Sequence, residues 1–274
     1  MRTKSKMKII GLLVIFIILL TGVQRDTDAS LKMLRNTKID YSVTKSKMSR
    51  YIDNYSLKIK FSGTVLVAKD NEVILDKGYG MADVNNKIIN KPKTVFEIAS
   101  LTKQFTSTAI LMLQEKKLLN VQDTIDKYIP NYPQGDKIKI YNLLTHTSGI
   151  PDYNQTAISS GKHTYTLKEI IKLFENKPRH FESGVKYEYS SSNYILLGYI
   201  IEKVSLMKYE EFIESNIFKP LLLNNTGFLN KETSISNKAT GYNLSKETGK
   251  YIKTFDHEGT VRSEERRVGK ECSQ

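Results

Sequence analysis

The stretch that most constrains this chain runs from Ile98 to Lys117 (IASLTKQFTSTAILMLQEKK) and is its most apolar run after the N-terminus. Apolar residues fall on every side of a helical wheel, which predicts a helix buried all round. Ser100 falls at or beside the first turn, and Lys103 follows three residues later, on the same face. A serine hydroxyl is a poor nucleophile until a neighbouring base takes its proton. A lysine becomes such a base when burial in an apolar site pulls its pKa down. A helix N-terminus adds unpaired N–H groups and positive potential near a developing oxyanion. The S-x-x-K spacing is not specific by itself. It recurs at Ser5/Lys8, Ser42/Lys45, Ser159/Lys162, Ser183/Lys186 and Ser205/Lys208, but only Ser100/Lys103 opens a long apolar helix.

Four stretches carry a resemblance, in this order: TVFEIASLTKQFTSTAILMLQEKKLL, LLTHTSGIPDY, YEYSSSNYILLGYIIEKV and FKPLLLNNTGF. Together they resemble the serine β-lactamase and penicillin-binding protein superfamily. The similarity is closest to its branch of class C enzymes, D-alanyl-D-alanine carboxypeptidases and some esterases, and runs from about Phe61 to about Gly259. It implies an α/β fold, an antiparallel sheet flanked by helices with a helical lobe, whose C-terminal strands are missing from the chain as given. It also implies acyl-enzyme chemistry: Ser100 as nucleophile, with its own N–H as half of an oxyanion hole, and Lys103 as base. Tyr189 matches the tyrosine of the family's Tyr-x-Asn triplet, which shuttles protons to the leaving group. The third triplet position here is Ser191, which is shorter than asparagine and cannot offer an amide donor and a carbonyl acceptor together. Its hydroxyl is a candidate for holding Lys103 or the substrate amide, while Asn193 lies one step too far along the next helix. His146 has the chemistry of a general base, but the resemblance implies a loop-fixing role for its segment. The family's third element, Lys/His-Thr/Ser-Gly, is expected beyond residue 261. Lys246–Gly249 and His146–Gly149 each carry one residue too many.

The remaining sequence sets the context. Arg2, Lys4, Lys6 and Lys8 precede an apolar run at residues 9–23, which reads as a secretory signal or a retained membrane anchor occupying 1–25. Either form exports the body to an extracytoplasmic location, secreted or membrane-associated through residues 9–23. Residues 26–55 read as a polar tether and the start of the first helix, and 56–261 as the incomplete hydrolase domain. From Arg262 to 274 the text is dense in charge without a strand or helix period, and it resembles a translated sequencing adapter, hence a non-native tail that includes Cys272. The chain otherwise holds no cysteine, so no disulfide is expected.

The formal net charge is +13, which suits a soluble Lys-rich surface or an anionic polymer such as a cell wall. No basic run is interleaved with aromatics, so nucleic acid is not an expected partner. His146, His163, His180 and His257 lack metal-ligand spacing, and no metal or cofactor is expected. Locally, Gly63–Lys69 and Glu72–Tyr79 read as strands joined by a turn at Asp70-Asn71. Thr166–Glu169 reads as a capping box opening a helix to Asn176. Tyr194–Val204 is apolar nearly all round and predicts a central helix, and an amphipathic helix is expected at Tyr209–Ile217. The function that the resemblance implies, with the N-terminal segment as an export signal, is an exported serine hydrolase acting on D-alanyl peptides, D-alanyl esters or β-lactams. The alternatives are a non-catalytic penicillin-recognising sensor or wall-binding module, or an inactive truncated product.

Overall fold

The computed structural model describes residues 41–70, 72–154, 165–228, 237–245 and 247–253, and the backbone of 267–268. The expected signal or anchor, the tether through residue 40, Cys272 and the rest of the expected tail lie outside the described residues. Two compact units are distinguished, Met1–Asp53 and Asn54–Gln274. Helix α1 spans Ser42–Ile59. In the first unit it is held by local bonds, with Lys45 N–H donating to the Tyr41 carbonyl at 2.8 Å and Ser49 Oγ donating to Asp53 at 3.4 Å.

In the second unit, β1 (Gly63–Lys69) and β2 (Glu72–Tyr79) pair antiparallel from Gly63↔Tyr79 to Lys69↔Glu72. These are the bounds that the β-branched runs predict. Asp70 takes the left-handed φ of 50° that the tight turn needs. Strand β3 (Met81–Asp83) pairs with β4 (Ile88–Ile89), and Asp83 fixes the turn by accepting from Asn86 N–H at 2.8 Å. Strand β5 (Phe96–Glu97) pairs with Arg267–Val268, although that stretch shows no strand period in the sequence. Strands Tyr242–Leu244 and Tyr251–Lys253 form another hairpin, with Glu247–Gly249 in its turn region. Every named pair is antiparallel and forms its own two-stranded sheet, while Thr240 N–H donates to the Ala82 carbonyl of β3 at 2.8 Å and Tyr242 OH donates to Asp83 at 3.0 Å.

The core lies among the helices. A tight 3-10 turn (Ala99–Thr102) leads into α2 (Lys103–Glu115), which buries Lys103, Thr106, Ala109, Ile110 and Leu113. The expectation of a helix buried all round is corrected here. Leu111 is 48% exposed and shares the outer face with Gln104, Thr108 and Glu115. The buried positions follow the 3–4 spacing of a one-sided helix. Helices α3 (Ile140–Leu144) and α4 (Leu167–Lys172) are short. The Thr166/Glu169 capping box is present, with Glu169 N–H donating to Thr166 Oγ1 at 3.3 Å and Thr166 N–H donating to Glu169 at 2.8 Å. The helix ends at Lys172, short of the expected Asn176.

Helix α5 (Ser191–Ser205) is the central rod. Every residue from Ser191 to Gly198 is buried, as are Ile200 and Ile201, and it packs against α2, α3, α4 and α6 (Tyr209–Ile213). Full burial of each such Ile or Leu contributes about 1.5–3 kcal/mol. A buried Thr106–Tyr209 hydroxyl bond of 2.7 Å ties α2 to α6. A π turn over Glu214–Phe218 continues α6 and sets Phe218 edge-on to Phe105, 5.2 Å between ring centres.

Candidate active site

Ser100 sits in the 3-10 turn ahead of α2. The residue before it, Ala99, has φ of 41°, in the left-handed region where a side chain costs about 1–3 kcal/mol. In a 3-10 turn, residues three apart eclipse one another. Ser100 and Lys103 therefore stack, and Lys103 Nζ donates to Ser100 Oγ at 3.2 Å. Lys103 is only 8% exposed. Its Nζ lies 5.2 Å from the centre of the Tyr189 ring and 5.4 Å from that of Tyr194, within cation–π range.

The third group arrives from far along the chain. Tyr189 OH donates to Ser100 Oγ at 2.8 Å across 89 positions of sequence. One serine oxygen is thus met by an amine from its own helix and a phenol from another segment. Tyr189 is 45% exposed, so the contact lies at an open mouth. The structure brings together three of the four residues singled out in the sequence.

Ser191 is placed by the backbone. Ser190 is extended (φ −142°, ψ 121°), and side chains alternate along extended chain, so those of residues 189 and 191 share a side. Ser191 N–H donates to Asp152 Oδ2 at 2.6 Å, and Asn154 Nδ2 donates to Ser191 Oγ at 3.5 Å. Asp152 also accepts from Asn154 N–H at 2.8 Å. It caps α5 from outside the helix, where a carboxylate suits the N-terminal dipole. Ser192 Oγ adds a bond to the Pro151 carbonyl at 2.7 Å.

Three residues of the site region were not singled out by sequence reasoning in the roles they hold. His146, assigned to a loop-fixing segment, packs its ring on Tyr189, with centres 4.5 Å apart and planes at 31°. Its ring also meets that of Tyr194, at 5.2 Å and 33°. Burial and the nearby Lys103 charge hold its pKa below the ordinary histidine value. Asn193 is fully buried and sits beside His146 Nδ1 at 3.3 Å, while its Oδ1 accepts from Ser148 Oγ at 2.6 Å. Asp152 is the outside cap already described. The signal for all three was the stretch LLTHTSGIPDY with Asn193. Gly149 in that stretch has φ of 78°, and a Cβ there would lie 2.1 Å from the Phe181 carbonyl oxygen. Only glycine fits.

The family model described as Beta-lactamase matches residues 50–259. The chain belongs to the Beta-lactamase family. PbpX of Bacillus subtilis (strain 168), named as a penicillin-binding protein, is 35% identical over 226 residues, covering 82% of this chain and 56% of that protein. The octameric penicillin-binding protein homologue from Pyrococcus abyssi has a TM-score of 0.71 and 31% identity, covering 82% of this chain and 53% of that one. The D-amino acid amidase from Ochrobactrum anthropi SV3 has a TM-score of 0.66 and 25% identity, covering 81% and 63%. The chain spans about half the length of the curated relatives it matches, or less.

Members of the Beta-lactamase fold family are serine hydrolases, and the expected α/β architecture is that of these structural neighbours. Among the described residues, no group of three or more His, Cys, Asp or Glu is arranged to hold a metal ion. The convergent groups here are a hydroxyl, an amine and a phenol, a set suited to nucleophilic attack and proton transfer.

Proposed function

We propose that this protein is an exported serine hydrolase that works through an acyl-enzyme on Ser100. The observation that carries this reading is the double contact on Ser100 Oγ, from Lys103 Nζ at 3.2 Å and Tyr189 OH at 2.8 Å. In the free-amine form, Lys103 takes the Ser100 proton as Oγ bonds to the substrate carbonyl carbon. Tyr189 relays that proton to the departing amine or alcohol as its bond to carbon breaks. Water, activated by the same groups, then cleaves the ester and restores Ser100. The substrate class is compounds with a D-alanyl carbonyl: cell-wall peptides, D-alanyl esters or β-lactams. The names of the relatives, penicillin-binding protein and D-amino acid amidase, support that class.

The test is incubation with a fluorescent penicillin, followed by intact mass and peptide mapping. One acyl adduct on Ser100 is expected, none in Ser100→Ala, and acylation slower by about 10²–10⁴-fold in Lys103→Met. An adduct elsewhere, or hydrolysis undiminished in Ser100→Ala, overturns the reading. Ser191 favours a second reading, a penicillin-recognising sensor, because a hydroxyl stands where an amide would hold substrate and water. Release of the adduct decides between them: release within seconds marks a hydrolase, and an adduct lasting hours marks a sensor.

A further inference from the structure

His146 holds Tyr189 from three sides. The imidazole faces the phenol ring at 4.5 Å. Glu188 N–H, just before Tyr189, donates to the His146 carbonyl at 2.9 Å. Ser190 N–H, just after it, donates to His146 Nδ1 at 3.2 Å. Tyr194, also against the imidazole, is itself anchored, with its OH donating to the Leu144 carbonyl at 3.1 Å and bonded to Ser107 Oγ at 3.0 Å. The imidazole thus contacts both a phenol fixed on α5 and the phenol that touches Ser100.

We propose that His146 is a positioning residue for Tyr189, gripping its ring and both flanking amides so that the phenol oxygen stays on Ser100. The proposal rests on the reading of Ser100 as the nucleophile. The role needs a flat ring and an acceptor at the δ position together. Asparagine supplies the acceptor without the ring, and phenylalanine supplies the ring without the acceptor. It also needs the neutral form. Nδ1 receives Ser190 N–H and faces the Asn193 amide, so the proton of the neutral ring belongs on Nε2. A proton on Nδ1 would oppose both donors. The titratable groups facing the ring are Lys103 from α2, Asp152 from the loop after α3, Tyr187 and Tyr189 from the segment before α5, and Tyr194 from α5 itself. Burial disfavours the protonated ring, and so does the Lys103 charge whenever that amine is protonated. The Nδ1 lone pair is spent on holding Ser190, so this nitrogen is a fixture of the site and not its base.

The experiment compares His146→Asn and His146→Phe in the wild-type and Tyr189→Phe backgrounds. It reads acylation of Ser100 by a fluorescent penicillin, with an alkyl fluorophosphonate as a second probe. Each His146 variant is expected to slow acylation about tenfold or more in the wild type, the scale of a misplaced catalytic group. In Tyr189→Phe the further loss should be less than about twofold, because residues acting as one unit are not additive. Equal losses in both backgrounds overturn the proposal. In the wild type the rate should also show a fall that coincides with the NMR titration of the His146 ring, below the ordinary histidine 6.5, and His146→Asn should lose that step while keeping any step that belongs to the Lys103 amine. Persistence of the step in His146→Asn overturns the need for the neutral ring. If the wild type gives no Ser100 adduct with either probe, the proposed function fails. His146 is then judged by NMR: ring-to-ring nuclear Overhauser contacts with Tyr189 and an Nε2–H tautomer sustain the gripping role, and their absence overturns it. This last readout also serves if a variant does not fold.

Discussion

Ile195, Leu196 and Leu197 on α5 have no exposed surface, whereas Ile88 and Ile89 on β4 keep 52% and 56% of theirs. The side chains compared are equally apolar, all Ile or Leu. They differ in what surrounds them. Helix α5 is enclosed by four other helices, and its backbone bonds are made within itself. Strand β4 has one strand partner, β3, in a sheet of two strands. A helix reaches its neighbours through side chains alone, but a strand needs a further strand on each edge to be enclosed, and two-stranded pairs are marginal by themselves. The catalytic candidates follow the same division. Ser100, Lys103 and Tyr189 all sit at the rim of the helical region, where their positions are set by packed neighbours.

The largest expected effect tests the helical side. Leu196→Ala should cost about 2–5 kcal/mol, read as a lowered urea midpoint. A cost near zero would break the contrast. Next is the loop that seats α5. Gly149→Ala must push a Cβ into the Phe181 carbonyl at a left-handed φ, and should cost about 3 kcal/mol while slowing Ser100 acylation. An unchanged melting temperature would show that the loop yields. A third test uses pH. The unfolded chain takes a proton on His146 near 6.5, while the folded chain holds it lower. Folded stability is therefore full above about pH 6.5 and is lost as pH falls through 6.5 toward the folded value. Melting temperatures between pH 8 and 5 should show this decline, reduced in His146→Asn. The depressed carboxylates Asp83 and Asp123 act only near and below 3.8, outside that window. The smallest effect belongs to the strands: Ile88→Ala should change stability by no more than about 0.5 kcal/mol. A larger loss would mean that β3–β4 is covered in solution and would sharpen the question of what covers it.

The sequence was readable wherever partners lie close together in it. The β1–β2 hairpin, the Thr166/Glu169 cap and the Ser100–Lys103 adjacency all follow from local spacing. The central place of α5 followed because its wheel is apolar nearly all round. For α2 the same argument failed. Leu111 is apolar yet faces out, since a wheel shows where apolar residues lie and not which of them meet a neighbour. Tyr189 was found through resemblance, because nothing local links it to a serine 89 positions away. The grip of His146 on Tyr189 and the outside cap by Asp152 were illegible for the same physical reason. Each joins the loop after α3 to the start of α5, and neither end carries a local mark of the other.

The three-way hold of His146 on the Tyr189 segment bears on any attempt at grafting. Copying the Ser100–Lys103 turn onto another scaffold would transplant an amine and a hydroxyl without the phenol's cradle. The smallest transferable unit is a trio of segments, 98–109, 144–154 and 187–201. A host must present all three in register before the first covalent bond can form.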